Sequence, residues 1–199
     1  MNRIQIISQL DPVYGIALSE FVQANSIFIP FVNYAPLSLK RVLPSNVVTV
    51  KQCILYYICM TGRNARYGHE QYSKIFSSHF IQKQSVEETL RGVTQSKWQA
   101  LFEALSLPEN FTIQQFQEAK IKGIGTSGKT FVLSSFGVIL WESVESTDLD
   151  FKKGLQKIYK LESVPTASQV KQIISGWKCK EYSIIGSILS TQAKHFSHG

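Results

Sequence analysis

The stretch Val47–Met60, VVTVKQCILYYICM, is apolar on nearly every side when wound into a helix. Such a helix has no face to offer to water, so it must sit at a centre with other elements packed around it. Lys51 and Gln52 interrupt the run, which is also too short to span a bilayer. A chain of 199 residues, 44% hydrophobic and 18% charged, has the means to build that surround. The same composition excludes a disordered chain. The N-terminus, MNRIQIISQLDPVYG, lacks the long apolar core of a signal peptide. Cys53, Cys59 and Cys179 are odd in number and lack C-x-x-C spacing, so they cannot form a four-thiolate metal site. They read as small buried hydrophobes in a reducing compartment, and the chain is expected to be soluble and intracellular.

The partners of the central helix are written downstream. Ser85-x-x-Glu88 is a capping box, and Val86, Leu90, Val93, Leu101, Phe102 and Leu105 follow mostly at helical spacing. Shorter helices are predicted over Ile113–Ala119 and from about Thr130 to Phe136. Ser146, Thr147 and Asp148 are helix-start residues ahead of Leu149, Leu155, Ile158 and Tyr159. Thr166-x-x-Gln169 opens a helix bearing Val170, Ile173, Ile174 and Trp177, and a last helix runs from Tyr182. Trp98, Trp141 and Trp177 all read as core. Residues 1–46 differ: short apolar runs alternate with Pro30, Pro36 and Pro44, which predicts strands or extended segments. The fold class is mainly α, with a helical core over 47–190 and an unpatterned tail over 191–199.

A net charge of +7 favours a polyanionic partner. The stretch Lys122–Thr130, KGIGTSGKT, fits two ways of holding phosphate. From Gly123 it matches G-x-x-x-x-G-K-[ST], a nucleotide-binding loop. From Ile121 it matches the apolar-x-Gly-apolar-Gly turn of a helix-hairpin-helix element, here over about 113–136. The first reading needs an apolar strand before the loop, yet Gln114–Lys122 is polar and helix-like. The second needs a helix, a turn with two glycines and another helix. The hairpin reading is therefore preferred. Gly123 and Gly125 permit a tight turn and close approach of backbone N–H groups to phosphate. The next helix aims its positive end there, and Lys122 and Lys129 add salt-sensitive attraction.

Downstream of the turn lie Asp148-Leu-Asp-Phe-Lys-Lys-Gly-Leu155, Val164-Pro-Thr166 and Gly176-Trp-Lys-Cys-Lys-Glu-Tyr-Ser183. With the hairpin, this order resembles the C-terminal part of the 3-methyladenine branch of helix-hairpin-helix DNA glycosylases. The resemblance is specific over Ile121–Leu189 and faint over Val47–Phe80. It implies a two-lobed helical fold whose cleft admits a base flipped from the duplex. It places the catalytic carboxylate at Asp148, with Asp150 the weaker candidate. Negative charge is favoured at a helix start, and a carboxylate can stabilise the oxocarbenium-like sugar left by a departing base. Asp148 also reads as a plain N-cap.

Lys122, Gly123, Gly125, Ser127, Gly128 and Lys129 become the candidate DNA-contacting residues. The family's hairpin continues Pro-Trp-Thr-Ala where this chain has Thr126-Ser-Gly-Lys-Thr130, so Phe131 is taken as the aromatic pocket wall. The polar wedge falls near Met60–Asn64, giving Arg63 or Asn64 as the residue that fills the gap left by a flipped base. Glu181 and Tyr182 replace the family's Arg near the Trp segment, leaving the preferred base open. Alkylated purines come first because their glycosidic bond is already weak.

Two alternatives stand. Lys129 lies near the position from which a bifunctional glycosylase/AP lyase for oxidised bases attacks the sugar. Otherwise the hairpin serves a non-catalytic DNA-binding protein. The expected partner is double-stranded DNA carrying a damaged base, bound by a monomer away from any membrane. His69, His79, His195 and His198 suggest no metal site, and no cofactor is expected beyond a structural alkali cation on hairpin carbonyls.

Overall fold

The structure, a computed structural model, describes residues 2–62, 64–93, 95–144 and 148–195. Among them there is no strand. The α-helices are α1 (Arg3–Leu10), α2 (Pro12–Ala24), α3 (Val50–Met60), α4 (Ala65–Ile75), α5 (Val86–Thr89), α6 (Gln95–Leu105), α7 (Ile113–Glu118), α8 (Thr126–Ser135), α9 (Leu149–Ile158), α10 (Ala167–Ser175) and α11 (Ser183–Ala193). Short 3₁₀ helices cover Ser26–Tyr34 and Lys180–Tyr182, and a π-helical turn covers Phe76–Ile81. The chain divides into two compact units, one made of Met1–Leu39 with Ile139–Gly199 and one of Lys40–Val138.

The expectation of extended or β structure over 1–46 is overturned for Arg3–Tyr34, which is almost wholly helical, whereas residues 35–46 carry no helix. Its helix starts are well made. The Asn2 side chain accepts from the Gln5 N–H while Gln5 answers to the Asn2 N–H, a capping box. Asp11 caps α2 through the Tyr14 N–H, and Pro12 occupies the first turn, where a missing N–H costs nothing. Pro30 falls inside the 3₁₀ helix. Pro12 and Pro30 thus belong to helices, whereas Pro36 and Pro44 lie in the non-helical segment between Tyr34 and Val50, which forms no strand.

The first unit is built on an aromatic core. Phe21, Phe28 and Phe151 present ring edges to Trp177 at 5.6, 5.6 and 6.4 Å. The indole N–H of Trp177 donates to the Tyr159 hydroxyl at 2.9 Å, so its one polar atom is satisfied. Trp141 is half-buried against the Tyr182 ring. Helices α9 and α11 pack so closely that a Cβ on Gly154 would lie 1.6 Å from the Ser190 carbonyl oxygen. The clash is with backbone, which cannot rotate away. Gly154→Ala is expected to destabilise the protein by about 3 kcal/mol or to prevent folding. A thermal melt close to that of the wild type would contradict the packing.

The second unit surrounds α3 as its apolar run predicts. All of Val50–Tyr56 is buried, as are Ile58 and Cys59, with α4, α6 and α8 packed around them. Thr49 and Gln52 form the capping box at its start. Burial pushes the Cys53 thiol up to about 11, against a hydrogen bond with Ser135 that lowers it, so this sulfur is an inert packing group. Lys51, only 3% exposed, pairs with Glu109 at 2.7 Å and lies over the Phe80 ring. The Lys97 ammonium donates to the carbonyls of Ile58, Cys59 and Thr61, satisfying the end of α3. Between Ser85 and Leu105 the helix breaks, because Gly92 adopts a left-handed φ of 83° after the short α5. Trp98, expected in the core, is 36% exposed and stacks on Phe102.

His79 lies in the π-helical turn and is partly buried, with Lys51 near by. Burial first, then the Lys51 charge, lowers its pKa; the Gln84 carbonyl opposes this. A base that binds its proton less readily when folded adds stability above its unfolded pKa of about 6.5. That contribution is lost as pH falls below this value toward the lower folded pKa. The midpoint of thermal unfolding should therefore drop between pH 7 and 5, and His79→Gln should flatten part of that slope. An identical slope in the variant would remove His79 from the account.

Candidate nucleic-acid interface

Over the stretch read as a hairpin, 113–136, the structure has α7, a turn and α8, all within the second unit. Thr112 and Gln115 form the capping box that starts α7. The chain then leaves the helix at Ala119 and buries Ile121, whose carbonyl accepts from the Ile124 N–H at 3.1 Å. The turn is pinned to α6, because the Lys122 N–H donates to the Glu103 carboxylate at 3.0 Å and the Lys122 ammonium donates to Gln99.

The two turn glycines differ. Gly123 has φ +80°, and a Cβ there would approach Ala100 Cβ to 2.9 Å. Gly125 has φ −85° and open space around its absent side chain. The requirement for glycine geometry, assigned by the sequence to both, thus belongs to Gly123. Gly125 is instead the N-cap of α8, which begins at Thr126 and not near Thr130, and it supplies no side-chain cap. The first-turn amides of α8 point out of the helix with no help from residue 125. Gly128 is buried, and a Cβ on it would meet the Tyr57 ring at 2.6 Å. Ser127 is half-buried in the same turn. Lys129 reaches back to α7, its ammonium donating to the Gln117 carbonyl at 2.6 Å.

Phe131, one turn further along α8, is half-buried beside Tyr57 and Tyr56, with ring centroids 5.3 and 6.3 Å away. The Arg41 guanidinium lies over its ring at 5.1 Å. Neither Arg41 nor Tyr57 stands out in the sequence, although Lys40-Arg41 is a basic pair and Tyr56-Tyr57 an aromatic one. Asn64 is exposed and caps α4 through the Arg66 N–H, while Arg63 lies outside the described residues. The charge is uneven: the second unit holds twelve Lys and Arg against six Asp and Glu, so it carries +6 of the chain's +7.

Asp148 belongs to the first unit, half-buried at the start of α9, where its Oδ1 accepts from the Phe151 N–H at 2.9 Å. The N-capping role is thereby seen directly. Asp150 pairs with Lys194, whose hydrogen bond holds its carboxyl below the usual carboxylate range. Among the described residues no group of three or more His, Cys, Asp and Glu is placed to hold a metal ion. Among the same residues no helix is long and apolar enough to cross a membrane. Compared with family models, curated proteins and solved structures, the chain matches none.

The arrangement also bears on the nucleotide-loop alternative. The element before KGIGTSGKT is α7, not a strand, so the strand–loop–helix frame of such loops is missing. Magnesium with ATP or GTP should leave the melting temperature unchanged, whereas a ligand at a hundred times its Kd adds about 2.7 kcal/mol. A nucleotide-dependent shift lost in Lys129→Ala would restore that alternative. The glycines offer a second check. Gly123→Val should cost at least about 1–2 kcal/mol, and Gly125→Ser should change stability by only a few tenths. Equal losses from both would contradict the turn geometry.

Proposed function

We propose that the protein is a DNA N-glycosylase that binds duplex DNA through the α7–α8 hairpin and excises a damaged base, with alkylated purines first in order. The observation that carries this reading is the hairpin itself: a Gly123 turn leading to an uncapped α8 start, in the unit holding nearly all the excess positive charge. Phosphate would be met by first-turn N–H groups and the positive helix end, with Lys122 and Lys129 contributing long-range attraction. Flipping the base costs a few kcal/mol of unstacking. The chemical step is assigned by the resemblance to Asp148, whose carboxylate would stabilise positive charge developing on the sugar as the base departs and water adds at C1′. Hydrogen bonding of Lys129 to Gln117 supports the monofunctional reaction over lysine attack. An alkali cation on the turn carbonyls remains part of the proposal.

One observation favours a second reading, a DNA-binding protein without catalysis: the Asp148 carboxylate is already engaged as the cap of α9. Base release from a panel of single-lesion duplexes separates the two. Asp148→Asn retains capping ability but loses the charge, so it should spare folding and DNA affinity while slowing release about a hundredfold or more. Asp150→Asn should do much less. Borohydride should trap no protein–DNA crosslink. A crosslink dependent on Lys129 would establish the lyase branch, and undiminished release by Asp148→Asn would sink the catalytic assignment. If no lesion yields free base while DNA is bound, the non-catalytic reading takes its place.

A further inference from the structure

The aromatic contacts of α8 ask for a role that holding a phosphate does not fill. Phe131 projects from α8 beyond the hairpin turn, with Tyr57 on one side and the Arg41 guanidinium over its face. Tyr57 is fixed in turn, because the bare backbone of Gly128 receives its ring. Tyr57 and Phe131 are each half-buried, and Arg41, whose guanidinium covers the Phe131 ring, is exposed. Arg41 neighbours Lys40 in a segment without regular helix, and nothing about the core demands a guanidinium there. Planar guanidinium and aromatic surfaces are what unpaired nucleobases stack upon, and every base has a face to stack.

We infer that Arg41, Phe131 and Tyr57 form a stacking platform for an unpaired base of a DNA strand. The inference rests on the reading that the hairpin grips that strand's backbone. Phosphate at the start of α8 and a base about one and a half turns along the same helix are separated by roughly 9 Å at 1.5 Å per residue. That is the scale of a nucleotide, so one strand can satisfy both. The unit therefore favours single-stranded over fully paired DNA of equal length. A closed duplex presents its phosphates but hides the base faces.

Anisotropy titrations of the full chain with a labelled twelve-nucleotide single strand and its duplex, each at several salt concentrations, test this. Wild type should bind the single strand the more tightly. Phe131→Leu and Arg41→Gln should each weaken single-strand binding by about five- to a hundredfold and duplex binding far less. Phe131→Leu should leave the salt dependence unchanged, whereas Lys129→Gln should weaken both forms and flatten it. Lys83→Gln serves as a surface control. Because Arg41 is exposed, its variant reports even if Phe131→Leu is unstable. Duplex binding with wild-type single-strand affinity in both variants would overturn the platform and leave the hairpin reading intact. Absence of binding to either form would remove both.

Discussion

Helix α3 has no hydrophilic side, and the second unit is arranged by that fact. Leaving any face of Val50–Cys59 in water would forfeit about 1.5–3 kcal/mol for each large apolar side chain. Packing α4, α6 and α8 around it recovers that energy. The polar ends of the helix are then handled individually: Thr49 with Gln52 at the start, and Lys97 on the last carbonyls. The hairpin inherits its position from the same helix. Gly128 seats the first turn of α8 on Tyr57 of α3, and Gly123 and Lys122 fix the turn to Ala100, Gln99 and Glu103 of α6. The proposed phosphate-binding edge is thus held by a rigid core and not by a loose loop.

Electrostatics and packing divide between the two units. The first unit has an aromatic core around Trp177 and an almost balanced charge. It supplies Asp148, held by its own cap at the head of α9. The second carries the positive charge and the hairpin.

Much of this was legible, and the misses have definite causes. The central helix and the capping boxes at Ser85 and Thr166 announced their elements directly. Asn2-x-x-Gln5, Thr49-x-x-Gln52 and Thr112-x-x-Gln115 carry the same signal, and reading the first of them would have corrected the N-terminal segment. Pro12 sits at a helix start and Pro30 inside a 3₁₀ helix, whereas Pro36 and Pro44 do mark non-helical chain. The start of α8 was placed late because Gly125 caps without a side chain. Gly92 ended a helix whose apolar spacing continued past it. Arg41 and Tyr57 were not visible as site residues because their meeting with Phe131 is a product of long-range packing.

The central claim is that the hairpin holds the DNA backbone, and amide hydrogen exchange reads it most directly. Exchange of the full chain would be followed with and without saturating duplex carrying a single lesion. The account predicts slowed exchange concentrated at residues 120–129, where α8 begins, against an unchanged α3. DNA-dependent slowing that spares those amides, or lies on the helices of Arg3–Ala24, would contradict it.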